Sequence, residues 1–176
     1  SALNLQDPEL PAQVNERLRV NDVGPERLIL EITESTIMAD PIHAIAVLTR
    51  LRDMGVALSV DDFGTGYSSL SYLSRLPVSE LKIDRSFVAG MMRNEGDAKI
   101  VRATIDLAHD LGLSVIAEGI ETRDAWERLM AMGCDVAQGY YMSRPLPAGE
   151  LAVWAQEFWR SARKRFDVYP FTRSHG

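Results

Sequence analysis

Two adjacent aspartates, Asp61 and Asp62, close a short apolar run, Leu58-Ser-Val60, and lead into Phe63-Gly-Thr-Gly66. Neighbouring carboxylates repel each other unless a cation or a proton lies between them. At the carboxyl end of a strand such a pair is a candidate divalent-metal site. Gly64 and Gly66 let the backbone turn sharply and approach whatever the acids hold. The competing reading is a solvated acidic turn that caps a helix. The pattern recurs, however: Glu31 and Glu34, Lys82 and Asp84, Glu118 and Glu121, and Gln138 each fall at the end of another apolar segment. Hard oxygen donors without a His or Cys cluster point to Mg²⁺ or Mn²⁺ and away from zinc. Several carboxylates around one or two such ions suit phosphoryl chemistry. In that setting Lys82 would orient a water or neutralise a phosphate.

Taken singly, each residue has a structural alternative. Glu31 inside a strand suits a buried partner of an arginine, and Lys82 and Asp84, two apart on one strand face, suit a simple pair. Glu121 suits the approach to a helix cap, and Gln138 a bond to the backbone. Their convergence at five successive strand ends is what favours a site.

The elements that would position them alternate along the chain. Asp7-Pro8 reads as a helix start, with Leu10, Val14 and Leu18 on one face. Arg27 to Glu34 reads as a strand. Asp40-Pro41 opens a helix whose Ala44, Val47, Leu48, Leu51 and Met54 form an i, i+3, i+4, i+7 stripe ended by Gly55. Strand Val56 to Val60 follows, then a short helix through Leu70, Leu73 and Leu76 that stops at Pro77. Glu80 to Asp84 is a strand, Asp97 to Leu111 a helix, Leu113 to Ala117 a strand, and Thr122 to Met132 a helix. Asp135 to Tyr141 is the last strand, before a helix from Pro147 or Ala148 through Phe158. Strands apolar on both faces and alternating with amphipathic helices predict an α/β fold with a parallel sheet. Chemistry at the strand ends favours a (β/α)8 barrel over a doubly wound sheet, for which no glycine-rich dinucleotide fingerprint is present.

The 176 residues are enough for one domain with a real core, and 46% are hydrophobic. A net charge of −6 argues against a DNA-binding surface. The single Cys134 excludes a disulfide framework and suits a reducing cytoplasm. No apolar run is long enough to span a bilayer, and no signal peptide is present. The opening Ser1-Ala-Leu-Asn-Leu5 carries no initiator methionine and reads as a cut from a longer chain.

Glu31-Ile-Thr-Glu34, Asp61-Asp-Phe-Gly-Thr-Gly66, Leu81-Lys-Ile-Asp84, Ala117-Glu-Gly-Ile-Glu121 and Gln138-Gly-Tyr-Tyr141 resemble successive motifs of EAL domains, the bacterial cyclic di-GMP phosphodiesterases. The resemblance runs from about Ser1 to Phe158. It implies a TIM-type barrel holding two Mg²⁺ or Mn²⁺ ions and hydrolysing cyclic di-GMP to linear pGpG. By the resemblance, Glu31 and Asp61 ligate metal and Asp62 serves the second ion. Lys82 holds the nucleophilic water, Glu118 binds metal or acts as base, and Gln138 lies near the substrate phosphate. Glu34 braces the Asp62-to-Tyr67 loop, which in the family links the metal site to a dimer interface, and Glu121 supports the same rim. Asp84, Gly64 and Gly66 belong to the supporting loops. A homodimer or other self-association, and an upstream sensory or diguanylate-cyclase domain, are further implications.

The departure is that the Glu-Ala-Leu motif, source of one metal ligand, does not occur in the chain. An asparagine ligand of an Asn-x-Ser motif is expected just before Ser1, and Asn4 is a poor substitute because it follows the expected strand. The expectation is therefore a barrel truncated at its N-terminus, with five strand-helix units in residues 1–158, open edges, and weak or no turnover on its own. The alternative in another class is a non-catalytic module that binds cyclic di-GMP or a protein partner; a third is an inert excised fragment. Residues 159–176 lie beyond the resemblance. Trp159, Arg160, Arg163, Lys164 and Arg165 there suit a solvated basic helix end and tail better than a membrane-surface contact.

Overall fold

The computed structural model describes residues 5–65 and 70–166. Five strands, β1 (Ile29–Thr33), β2 (Ala57–Phe63), β3 (Glu80–Ile83), β4 (Ser114–Ala117) and β5 (Val136–Ala137), form one sheet in that order, every neighbouring pair parallel. Helices α1 (Leu10–Val20), α2 (Glu34–Ala39), α3 (Pro41–Asp53), α4 (Leu70–Leu73), α5 (Arg85–Gly90), α6 (Glu95–Asp110), α7 (Arg123–Ala131) and α8 (Ala148–Phe166) precede, separate and follow the strands. Each parallel crossover carries at least one helix, as parallel pairing requires.

Strand pleating sorts the residues. Leu58 and Val60 on β2, Leu81 and Ile83 on β3, and Val115 and Ala117 on β4 alternate to one face and are fully buried in the core. The core also takes Ala44, Val47, Leu48 and Leu51 of α3, and Val101, Ile105 and Ala108 of α6. Each fully buried Leu, Ile or Val contributes about 1.5–3 kcal/mol. The opposite strand face carries Glu31, Ser59, Asp61 and Lys82, with Glu118 one residue beyond β4. Parallel register sets Glu31 beside Ser59 and Ser59 beside Glu80. Chemistry and core thus come from alternate residues of the same strands.

Helix ends are fixed as the sequence dictates at several points. Asp40 caps α3 by accepting from His43 N at 3.2 Å, Asn94 caps α6 through Gly96 N at 2.7 Å, and Thr122 caps α7 through Ala125 N at 3.3 Å. Elsewhere the boundaries differ. Helix α1 begins at Leu10 with Pro11 in its first turn, and Asp7 instead accepts from Glu9 N at 2.9 Å ahead of it. Pro25–Arg27 is a 3₁₀ turn, and β1 stops at Thr33, so Glu34 opens helix α2. Helix α5 stands where no helix is expected, capped by Asp84. The last strand is two residues long, and Gln138 lies in the turn after it.

The described residues fall into two compact units, one up to Met142 and one from Ser143. In the second, α8 runs through Phe158 to Phe166; the Trp154 and Phe158 rings stack with centroids 5.0 Å apart, and Trp159 meets Phe158 edge-on at 5.9 Å. Among the described residues no helix is long and apolar enough to cross a membrane.

Candidate active site

Lys82 gathers the acids. Its ammonium lies 2.5 Å from Glu118 Oε1, 2.9 Å from Glu31 Oε2 and 3.3 Å from Asp61 Oδ1. Its side chain is 4% exposed, and three carboxylates match its three N–H donors. Burial disfavours the charge, but the hydrogen bonds to Glu118 and Glu31, with the fields of Glu118 and Asp61, outweigh it and hold the Lys82 pKa above its ordinary value. Strands β1, β2 and β3 and the end of β4 thus each contribute one charged group to a single point.

Asp61 and Asp62 would point to opposite faces in a regular strand. A bulge interrupts that alternation here: β2 takes three steps from Val60 to Phe63 while β3 takes two from Leu81 to Ile83. Asp62 absorbs the extra residue with a left-handed backbone, φ 55°, and its N–H donates to Asp61 Oδ1 at 3.0 Å. Burial raises the Asp62 pKa, and Asp61 and Asp84 add to the shift while Lys82 opposes it. A carboxyl held against its own charge in this way is poised to accept a cation.

Glu34, 3% exposed, reaches from the start of α2 to accept from Gly64 N at 3.1 Å, bracing the turn after Asp62. Gly64 has φ 92°, and a Cβ there would meet the Phe87 ring at 3.2 Å. Gly66 lies outside the described residues. Asp84 does not pair with Lys82. Burial alone would raise its pKa, but bonds from the Ser86 hydroxyl and from the Ser86 and Arg85 amides hold it below the usual carboxylate range.

The rim loops after β4 and β5 are clipped together. Ile120 N donates to Gln138 O at 3.1 Å, and Tyr141 N donates to Ile120 O at 2.9 Å. Gly139 packs on the Ile120 backbone so closely that no Cβ fits, and Gly119, φ 68°, packs likewise on Arg85. This clip sets the positions of Glu118 and Gln138. The Gln138 and Glu121 side chains bond to no described residue, so neither is consumed by a structural role. The bulge, the clip and helix α5 escape a reading of the sequence; the glycines following Glu118 and Gln138 are the only signal for the clip.

Among the described residues, no three His, Cys, Asp or Glu side chains already lie at the spacing of a shared metal ion. The donor set nevertheless fits a divalent cation. Glu31, Asp61 and Glu118 offer hard oxygens already turned toward one positive charge, with Asp62 adjacent, and they outnumber Lys82 three to one.

The EAL domain family model matches residues 1–145, and the chain belongs to that family. It is 46% identical over 151 residues to the bifunctional diguanylate cyclase/cyclic di-GMP phosphodiesterase MucR of Pseudomonas aeruginosa, covering 86% of this chain and 22% of MucR. The solved PaMucR phosphodiesterase in complex with c-di-GMP superposes with a TM-score of 0.83 at 46% identity, over 86% of this chain and 61% of that one. The Klebsiella pneumoniae BlrP1 manganese/cy-diGMP complex gives 0.73 at 32% identity, over 79% and 36%. The five-stranded sheet is thus part of an EAL barrel of TIM type, a fold whose relatives have been solved with divalent metal and cyclic di-GMP. The chain spans about a fifth of the length of the curated relatives it matches.

Proposed function

We propose that this chain supplies the carboxylate-lysine half of a cyclic di-GMP phosphodiesterase site, hydrolysing one phosphodiester to give linear pGpG. The carrying observation is the convergence of Glu31, Asp61 and Glu118 on Lys82. Glu31, Asp61 and Glu118 would hold one Mg²⁺ or Mn²⁺ and Asp62 a second. Bound there, such ions supply Lewis-acid stabilisation of the attacking and leaving oxygens. Lys82, cationic throughout the neutral range, orients the water and offsets phosphate charge. Glu118 is placed to take the proton that the water loses. Gln138, its amide uncommitted, donates to a phosphate oxygen, Glu34 holds the turn that fixes Asp62, and Glu121 stands on the same rim.

The relatives' greater length and their printed names, a bifunctional diguanylate cyclase/cyclic di-GMP phosphodiesterase and an oxygen sensor protein, support a further sensory or cyclase domain in the parent protein, placed upstream in this proposal together with a homodimeric assembly. For the 176 residues alone we infer weak or no turnover. Glu31 stands on β1, whose outer edge has no strand among the described residues, and its side chain is 50% exposed. An edge strand half in water holds a ligand less firmly than a paired one. A second reading, a module that binds cyclic di-GMP without cutting it, is favoured by the same open edge.

Chromatography of cyclic di-GMP incubated with Mn²⁺ separates the two. A parent-length protein should form pGpG and lose this activity on Glu31→Ala. Tight binding without product at parent length would favour the non-catalytic reading instead.

A further inference from the structure

Ser59 stands in the middle of β2, 1% exposed, and its hydroxyl meets no hydrogen-bond partner among the described residues. One other buried side-chain atom shares that condition among them, His43 Nε2 in the first turn of α3. Ser79, one residue ahead of β3, by contrast donates its hydroxyl to Leu58 O at 3.2 Å. A hydroxyl taken out of water without a partner loses its hydration and gains no bond in exchange. Alanine would fill nearly the same space without that loss, so the hydroxyl calls for an explanation.

The neighbouring strand supplies one. Parallel register sets Ser59 directly beside Glu31 of β1, on the sheet face that carries the charged cluster. Neighbouring strands run about 4.8 Å apart, so a glutamate carboxylate can swing within reach of a serine hydroxyl at the partner position. Glu31 is also the most exposed of the three acids, 50% against 22% for Asp61 and 20% for Glu118. Among the described residues its carboxylate touches Lys82 alone, through Oε2, whereas Asp61 also accepts from Asp62 N. The other register neighbour of Ser59 is Glu80 of β3. No contact with a described residue turns the Glu80 side chain inward, while the Lys82 contact already draws Glu31 over the sheet.

We propose that Ser59 is a positioning residue for the divalent cation: its hydroxyl donates to Glu31 when that carboxylate turns from the Lys82 ammonium to the metal. The assignment rests on the reading of Glu31 as a metal ligand. A carboxylate that gives one oxygen to a cation keeps lone pairs on the other, and a hydrogen bond there fixes its plane. Ser59 touches neither the cation nor the substrate and acts through Glu31. Its hydroxyl is idle while Lys82 holds the acids and engaged once a cation does. The same group therefore contributes nothing to folding, or opposes it, yet strengthens cation binding.

The test is a double-mutant cycle of Ser59→Ala and Glu31→Gln, with Mn²⁺ affinity read by electron paramagnetic resonance and stability by urea titration in chelator. In chelator, Ser59→Ala should leave the urea midpoint unchanged or raise it, because it removes an unbonded buried hydroxyl. The same variant should bind Mn²⁺ about tenfold more weakly than the unaltered protein. In the Glu31→Gln background, itself a weaker binder, Ser59→Ala should change Mn²⁺ affinity by less than about twofold. Glu80→Gln should bind Mn²⁺ as the unaltered protein does. A lowered urea midpoint for Ser59→Ala in chelator would mean that the hydroxyl already has a structural partner, and overturns the assignment. Unchanged Mn²⁺ affinity in Ser59→Ala, an equal loss in both backgrounds, or a matching loss in Glu80→Gln overturns it too, while the reading of Glu31 stands. Glu31→Gln binding Mn²⁺ as tightly as the unaltered protein overturns that reading, and the assignment with it.

Discussion

Lys82 Nζ sits 2.5 Å from Glu118 Oε1, and the lysine is buried while the glutamate retains contact with water. The ammonium holds together three carboxylates that would otherwise repel. Lys82→Met should therefore destabilise the fold by about 1–3 kcal/mol, less than for a fully buried pair because the acids remain partly solvated. Added Mn²⁺ should restore more of the lost stability in the variant than it adds to the unaltered protein. Urea titration with and without Mn²⁺ measures both effects.

Glu34 and Gly64 give a second expectation. Glu34→Ala removes the acceptor for the Gly64 N–H, at a cost of about 1–3 kcal/mol for the unsatisfied group, and frees the turn after Asp62. Glu34→Gln keeps an acceptor in place and should lose less than half as much. Hydrogen exchange at Gly64 should accelerate in the alanine variant and stay near its starting rate in the glutamine one.

Gly139→Ala tests the clip between the rim loops. A Cβ there meets the Ile120 backbone, which cannot step aside without breaking two hydrogen bonds. The expected loss is about 1–3 kcal/mol, with weaker Mn²⁺ binding because Glu118 moves. Ala89→Gly, on exposed surface nearby, is the control that should leave Mn²⁺ binding unchanged.

Cys134 carries the pH dependence that is cleanest to read. Burial pushes its thiol up to about 11, against backbone hydrogen bonds that pull the other way. The folded pKa exceeds the unfolded one, so this contribution is fully present below about 8.5 and is lost as pH rises toward 11. Thiol alkylation at pH 8 should be at least about tenfold slower in the native protein than in urea. Equal rates would mean that the Cys134 site opens freely.

The sequence made the acids legible because strand ends leave a local trace: an apolar run that ends in charged or amide side chains, with glycine close behind at Asp61–Asp62, Glu118 and Gln138. Five such traces in order singled out Glu31, Asp61, Lys82, Glu118 and Gln138 as candidates, and the alternation of strands with helices pointed to the parallel sheet. What escaped was set by distant partners. The bulge at Asp61–Asp62 exists only against β3, and the brevity of β5 follows from Gly139 folding onto Ile120, neither of which has a local signal. Helix α5 escaped because its six residues are too few to show a period, and its start depends on the Asp84 side chain. Glu34 belongs to helix α2 and not to the strand before it, and its carboxylate accepts from Gly64 N.

Mn²⁺ titration followed by electron paramagnetic resonance, on the unaltered protein and on Asp61→Asn, bears most directly on the charged cluster. Asp61 is 22% exposed and central to the cluster, and its asparagine variant keeps size and shape while removing one charge. The account predicts saturable Mn²⁺ binding that weakens by about tenfold or more in the variant. Equal Mn²⁺ affinity in the two proteins would contradict it and leave the Lys82 cluster as a structural salt bridge.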